Sequence, residues 1–130
     1  MKKLIDIIIP AYNSEGFILN AINSIPKSNH VCIIIVDDGS KDGTKQIVEE
    51  YILKNKDVNL KYINQDNQGE AGARNTGLRY SSSKYILFLD SDDVLIIDDM
   101  DLVIKTLLTD RYSLVIGGYK KILSGGGEDN

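Results

Sequence analysis

Short runs of aliphatic and β-branched residues alternate along the chain with segments in which apolar residues recur every three or four positions. Runs of the first kind are typical of buried strands, and segments of the second kind are typical of amphipathic helices. Their regular alternation predicts an α/β fold with a mostly parallel sheet and helices on both faces. The predicted strands are "LIDIIIP", "VCIIIV", "LKYI", "YILFL" and "SLVIGG".

A helix is predicted between each pair of consecutive strands. The first helix follows Pro10, which closes the first strand, has Asn13 or Ser14 as its cap, and stops at Pro26. Its apolar stripe consists of Phe17, Ile18, Ala21, Ile22 and Ile25. The other helices are predicted to begin near residues 42–44, to extend over residues 71–80, and to bury Met100, Val103, Ile104, Leu107 and Leu108.

Composition narrows the class of protein. The 130 residues suffice for one domain, and the formal net charge of -4 argues against nonspecific binding to nucleic acid, which depends on clustered cations. The one cysteine, Cys32, is interpreted as a small core residue and fits a reducing compartment. Because no apolar run is long enough to span a membrane, a cytoplasmic location is expected.

Polar and small residues follow each of the first four predicted strands, in "PAYNSE", "VDDGSKDG", "NQDNQGEAGARN" and "LDSDD". Because ligands of open parallel sheets bind outside the carboxyl ends of the strands, we expect these segments to form one shared site. The carboxylates of Asp90, Asp92 and Asp93 repel one another unless a cation or a row of donors offsets them. The cluster therefore predicts a bound partner, with an ordinary acidic turn as the alternative.

Four segments in this order resemble the inverting nucleotide-sugar glycosyltransferases of family 2, which have the GT-A fold. They are "IIIPAYNSEGFILNAINSI", "IIIVDDGSKDGT", "NQGEAGARNTGL" and "YILFLDSDD". The resemblance implies that the first two loops hold a nucleoside, most simply uridine, of a nucleotide-sugar donor. It also implies that the motif Asp90-Ser91-Asp92 holds the diphosphate through Mn²⁺ or Mg²⁺, and that the product belongs to polysaccharide or cell-wall biosynthesis.

The acidic motif has a separate role for each carboxylate in this interpretation. Asp92 is the first candidate metal ligand, and Asp90 either joins it or accepts hydrogen bonds from hydroxyls of the ribose or donor sugar. Asp93 either supports the ligands by hydrogen bonding or caps the following segment. A divalent cation would neutralise the negative charge that builds on the departing phosphate.

The first two loops supply candidates for base recognition. Asp38, or else Asp37, can accept the N3–H of a uracil. Tyr12, which follows Pro10 at the end of a strand, can cover one face of the base. For Glu15, a ligand role and a role as a first-turn acid that complements a helix dipole are equally open.

The third loop supplies candidates for anion binding. Gly69 and the small residues 71–73 allow close backbone approach at the start of a helix, whose amides favour anions. Arg74 pairs either with a phosphate or with one of the aspartates of the site. Asn75 fits the family pattern and is assigned a supporting hydrogen bond.

The resemblance places the general base and the acceptor site after the fifth strand. We therefore expect residues 1–123 to form the donor half of a GT-A domain ending at that strand, residues 124–130 to form a flexible polar tail, and the catalytic base to be unassigned. A saccharide, lipid-linked or protein acceptor is implied, and uncovered sheet surface favours self-association. The alternatives are a nucleotide-binding regulatory module and a phosphoacceptor receiver with Lys120 or Lys121 as its lysine, although a receiver's acidic pair follows its first strand.

Overall fold

The computed structural model describes residues 3–109, 121–122 and 128–129. The strands are β1 Ile5–Ala11, β2 Val31–Asp37, β3 Leu60–Asn64, β4 Tyr85–Phe88, β5 Lys121–Ile122 and β6 Glu128–Asp129. The helices are α1 Ile18–Asn23, α2 Thr44–Lys54, α3 Gly69–Tyr80 and α4 Met100–Leu108. The chain divides into two compact units, Met1–Leu95 and Ile96–Asn130.

Strands β1 to β4 of the first unit form a parallel sheet in the order β3-β2-β1-β4, which confirms the predicted fold class. All residues of β1 and β2 are buried, because the two strands lie in the middle of the sheet with helices over both faces. The chain runs from β1 through β3 in one direction and then reverses to reach β4. Right-handed crossovers therefore place α1 and α2 on one face and α3 on the other.

Helix α3 packs closely on β1 and β2 because it has small residues on its inner side. Ala73 belongs to a buried cluster with Ile8 and Ile34. A Cβ added at Gly77 would clash with Cγ2 of Ile8, so glycine at this position lets the helix reach the sheet. Cys32 belongs to the same cluster, as predicted, and burial raises the pKa of its thiol.

The pattern predicts that the first strand ends at Pro10, but the strand continues to Ala11. On the side of β4, pairing extends to Ile8 and Phe88, and the Leu89 amide then donates to the Ile8 carbonyl. The next donor in this parallel ladder would be the nitrogen of residue 10, which has no hydrogen in proline. Pro10 therefore ends the ladder between β1 and β4, and the segments that follow are free to separate.

The predicted start of the first helix is wrong. Helix α1 begins at Ile18, and neither Asn13 nor Ser14 caps it with a side-chain hydrogen bond. The side chains of Asn13 and Ser14 bond to other loops instead. The Ser14 carbonyl accepts hydrogen bonds from the amides of Phe17 and Ile18. Phe17, which the pattern assigns to the buried stripe, is 57% exposed.

In the described part of the sheet, β4 is an edge strand. Ile86, Leu87 and Phe88 are exposed on it, and self-association through this surface stays a prediction. None of the helices described is long and apolar enough to cross a membrane.

The second unit contains α4, β5 and β6. The carboxylate of Asp99 accepts a 3.0 Å hydrogen bond from the Leu102 amide at the start of α4, which buries Ile104 and Leu107. Leu108, predicted to be buried with them, is exposed. The predicted strand "SLVIGG" lies outside the described residues. Most of the predicted tail also lies outside the described residues, and its flexibility stays a prediction. The described part of the tail is β6, which pairs antiparallel with β5.

Candidate functional site

A crevice of about 510 Å³ lies outside the carboxyl ends of β1 and β4. This is the switch point of the sheet, because the chain leaves β1 toward β2 while β4 lies on the other side, and ligands of open α/β sheets bind at such points. Most residues that the sequence nominates line this crevice. They are Pro10, Tyr12, Asp38, Gly69, Asp90, Ser91 and Asp92.

The two neighbouring aspartates of "VDDGS" have different surroundings. Asp37 is fully buried outside the crevice lining and accepts hydrogen bonds from the Ser40 amide at 2.9 Å and from the Tyr62 hydroxyl at 2.6 Å. Burial and the bond to Asp37 together raise the pKa of Tyr62, so this hydroxyl stays protonated and donates. Asp37 therefore fixes the end of β2 to the following turn and to β3.

Asp38 lines the crevice although only 4% of it is exposed. Its Oδ1 accepts from Nε2 of Gln65 at 2.9 Å and from the amide of Gln68, at the start of α3, at 2.8 Å. Both donors bind Oδ1, so Oδ2 is the oxygen left for a ligand among the contacts of the described residues. Of the two aspartates, Asp38 is the one that lines the crevice.

The loops after β1 and β2 are joined by hydrogen bonds that sequence reasoning missed. The Lys41 amide donates to Oδ1 of Asn13 at 2.8 Å, and the Asn13 amide donates to Oγ of Ser40 at 2.9 Å. The Ser14 amide donates to Oγ1 of Thr44 at 2.8 Å. No motif in the sequence signals these contacts, because they join residues about thirty positions apart.

Glu15 lies outside the crevice lining and serves the neighbouring helix. Its Oε2 accepts a 2.8 Å hydrogen bond from the amide of Gly43, the residue that precedes α2. The carboxylate thus complements the positive end of α2, whereas the sequence suggested the helix that follows Glu15 itself.

Asp90, Asp92 and Asp93 form an acidic cluster at the β4 side of the crevice. One carboxylate oxygen from each residue lies within 4.8 Å of the others, and all three side chains are exposed. A turn in which the Asp93 amide donates to the Asp90 carbonyl at 3.0 Å brings them together. Burial, and then the charges of Asp92 and Asp90, raise the pKa of Asp93.

The donor set of the acidic cluster fits a hard divalent cation. Three carboxylates supply oxygen ligands, and their mutual repulsion would be relieved by positive charge. Part of that charge comes from the protein, because Nη2 of Arg74 lies 3.1 Å from Oδ1 of Asp90 and 2.8 Å from Oε1 of Glu70. Arg74 thus pairs with an aspartate of the site, one of its two predicted roles.

One hydrogen bond joins the loop after β1 to the acidic cluster: Oγ of Ser14 lies 2.6 Å from Oγ of Ser91. Ser14 is buried, and the sequence did not nominate it. Gly69, with φ of +83°, has a left-handed conformation that favours glycine and starts α3 at the crevice wall. Asn75 is exposed and does not line the crevice.

Comparison with known proteins identifies the family. The model of Glycosyl transferase family 2 matches residues 6–130. The chain is 37% identical over 122 residues to the Escherichia coli UDP-Glc:alpha-D-GlcNAc-diphosphoundecaprenol beta-1,3-glucosyltransferase WfgD, covering 92% of this chain and 47% of that protein. Like its match to WfgD, its matches to other relatives span about half of their length or less.

Two solved structures share the fold. S. aureus TarS in complex with UDP superimposes with a TM-score of 0.70 at 30% identity, covering 98% of this chain and 38% of that one. The mannosyltransferase PcManGT from Pyrobaculum calidifontis, in complex with GDP-Man and Mn²⁺, has a TM-score of 0.66 at 25% identity, covering 75% and 30%.

Proposed function

The chain belongs to glycosyl transferase family 2, and on that premise we propose that its crevice binds the nucleotide-sugar donor of an inverting sugar transfer. The observation that carries this proposal is that Asp38 lines one crevice with Tyr12 and with two members of the acidic cluster, Asp90 and Asp92. We call Tyr12 and Asp38 the nucleoside end of the crevice. The acidic cluster is its diphosphate end.

At the nucleoside end, the proposed ligand is uridine. Tyr12 is half exposed in the crevice, so its ring is available to cover a base. Oδ2 of Asp38 would accept the N3–H of uracil, and cytosine, which has a lone pair at that nitrogen, would meet the carboxylate with repulsion. The UDP complex of TarS, a member of the same fold class, supports a uridine donor.

At the diphosphate end, Asp92 and Asp90 are the proposed ligands of Mn²⁺ or Mg²⁺. Bound there, the cation would offset the negative charge that develops on the leaving diphosphate. The Mn²⁺ complex of PcManGT supports a metal of this class. Arg74, which pairs with Asp90, would hold one of the phosphates by charge-assisted hydrogen bonds.

The acceptor of the proposed transfer is a saccharide, a lipid-linked saccharide or a protein, and the general base is not assigned to a described residue. The receiver alternative is not supported, because the acids follow β2 and β4 and the family match is to transferases.

Calorimetric titration tests the proposal. We expect UDP to bind more tightly than CDP or GDP, and Mn²⁺ or Mg²⁺ to strengthen the binding of UDP relative to EDTA. Asp38→Asn should reduce the preference for UDP over CDP. Asp57→Asn, which removes an exposed carboxylate paired with Lys27 outside the crevice lining, is the control and should change neither property. Equal affinity for the three nucleotides would contradict the base assignment, and equal affinity for UDP in EDTA and in Mn²⁺ would contradict the metal assignment.

A further inference from the structure

We infer that Gln65 is a positioning residue that holds the Asp38 carboxylate in the orientation that selects uracil. The inference rests on the proposed function, because it assumes that Asp38 reads the base. Gln65 follows β3, and its amide donates a 3.0 Å hydrogen bond to the carbonyl of Asp37. Its backbone is therefore fixed to the residue directly before Asp38.

The side-chain amide of Gln65 has one orientation in which both of its ends are satisfied. Nε2 donates to Oδ1 of Asp38 at 2.9 Å, and Oε1 accepts from Oγ1 of Thr76 at 2.6 Å. If the amide were reversed, its carbonyl oxygen would face the Asp38 carboxylate and the two acceptors would repel each other. The Asp38 carboxylate, which can only accept, therefore fixes which end of Gln65 faces it, and the Thr76 hydroxyl holds the other end.

Thr76 has a further hydrogen-bond partner about one turn along α3. It is 3% exposed, and Nη2 of Arg79 donates to its Oγ1 at 3.0 Å. Its hydroxyl hydrogen has two acceptors within reach, Oε1 of Gln65 at 2.6 Å and the Gly72 carbonyl at 3.1 Å, and the bond to Gln65 is the shorter. A chain of donors thus runs from Arg79 through Thr76 and Gln65 to Asp38.

This series of hydrogen bonds has a consequence for the choice between bases. With Oδ1 occupied by Gln65 and by the Gln68 amide, Asp38 offers a ligand one acceptor oxygen in a fixed direction. A base with a donor at N3 is accepted there and a base with an acceptor is rejected, since an unpaired buried acceptor is costly. Loss of the Gln65 donor would let the Asp38 carboxylate rotate. Both the discrimination between uracil and cytosine and the affinity for UDP would then fall.

Gln65→Glu tests the inference, because it keeps the shape of the side chain and replaces the donor with an acceptor. We expect the ratio of UDP to CDP affinity to fall about tenfold, the loss of one hydrogen bond to a charged group. Gln46→Glu is the matched control. It makes the same change on α2, where Nε2 lies 3.5 Å from Oε1 of the exposed Glu50, and should leave the ratio unchanged.

A second pair of variants covers the case in which Gln65→Glu does not fold. Thr76→Val removes the hydroxyl but keeps the shape, so Oε1 of Gln65 loses its donor, the side chain is held less firmly against Asp38 and the ratio should fall a few-fold. Thr76→Ser restores the hydroxyl and should restore the ratio. A change in packing alone would alter the melting temperature without separating Val from Ser in selectivity.

Asp38→Asn distinguishes failure of the inference from failure of the proposed function. If Asp38→Asn lowers the UDP to CDP ratio while Gln65→Glu and Thr76→Val keep it, the positioning role is overturned and base recognition by Asp38 stands. If Asp38→Asn also keeps the ratio, the assignment of the base site is overturned together with the inference.

Discussion

Asp38, at the nucleoside end of the crevice, and Asp37, directly before it, have buried carboxylates, whereas the three carboxylates of the acidic cluster are exposed. Each buried aspartate accepts two hydrogen bonds from protein donors. At the exposed end, the pairing cation among the described residues is Arg74, which lies on Asp90. The two buried carboxylates are thus paired with donors of the protein, whereas the carboxylates of the acidic cluster are left mostly for a ligand.

This difference shows what each end can do without a ligand. Buried carboxylates that accept hydrogen bonds from the protein are part of the stability of the fold, because their donors would be left unpaired without them. Exposed carboxylates that repel one another contribute little or negatively to stability, and a cation changes that balance. The proposed nucleoside end is therefore preformed, while the proposed diphosphate end would be completed by a divalent metal.

The largest expected effect comes from removing a buried carboxylate. Asp37→Ala leaves the Ser40 amide and the Tyr62 hydroxyl without their partner and should lower the free energy of unfolding by about 3 kcal/mol. Urea denaturation measures the change. Asp92→Ala, the matched removal at the exposed end, should change stability by less than about 0.5 kcal/mol. Equal losses in the two variants would contradict the division between the ends.

Acid should weaken the fold through another buried carboxylate, Asp6 in β1. Burial alone would raise its pKa, but hydrogen bonds from Ser81, Ser82 and Ser83 outweigh it, and the pKa is lowered. Because the folded pKa lies below the unfolded value, the stabilisation is present above the unfolded pKa and is lost as pH falls through the folded one.

Asp6→Asn measures this contribution. We expect the variant to be about 2 kcal/mol less stable than the parent at neutral pH, with the gap closing in acid as the parent loses its advantage. Denaturation across a pH series, with Asp92→Asn as control, follows the gap. A gap that stays constant into acid would show that Asp6 acts through packing instead of charge.

Removing one exposed carboxylate should change binding and not folding. With Asp92→Asn, we expect Mn²⁺ to lose most of its effect on UDP affinity, about tenfold or 1.4 kcal/mol, while affinity in EDTA stays near the parent value. Calorimetry in both conditions gives the two numbers. The assignment of Asp92 is contradicted if the variant keeps the full Mn²⁺ effect.

The smallest effect is expected at the hydrogen bond between Ser14 and Ser91, which joins the loop of the nucleoside end to the diphosphate end. Ser14→Ala removes this bond but keeps the amide that bonds to Thr44. We expect the gain in UDP affinity from Mn²⁺ to shrink by about 0.5–1 kcal/mol, a few-fold. An unchanged gain would mean that the two ends are independent.

The sheet and the position of the crevice were predictable because they depend on local pattern and chain order. Runs of mostly apolar residues identified β1 and β2 as buried strands, and the polar segments after successive strands indicated a shared edge. The predicted end of β1 at Pro10 was wrong, because whether the strand can contain a proline depends on where its hydrogen-bond ladder with β4 ends. That ladder joins segments that are distant in the sequence. Phe17 has helical spacing but precedes the helix, and periodicity cannot show that.

Within the site, the sequence could nominate residue types but could not separate neighbours. Asp37 and Asp38 are adjacent in a motif of common turn residues, and tertiary contacts decide which of them lines the crevice. Gln65 and Ser14 carry no signal of their own, because their importance lies in partners more than ten positions away.

The central claim is that the two ends of the crevice bind the two ends of one nucleotide, and amide NMR spectra test it most directly. Uridine alone should shift the signals of Tyr12 and Asp38 and leave those of Asp92 and Asp93 in place. UDP with Mn²⁺ should in addition broaden the signals of Ser91, Asp92 and Asp93 through the paramagnetic ion. Uridine shifts centred away from Tyr12 and Asp38, or broadening centred away from residues 90–93, would contradict the account.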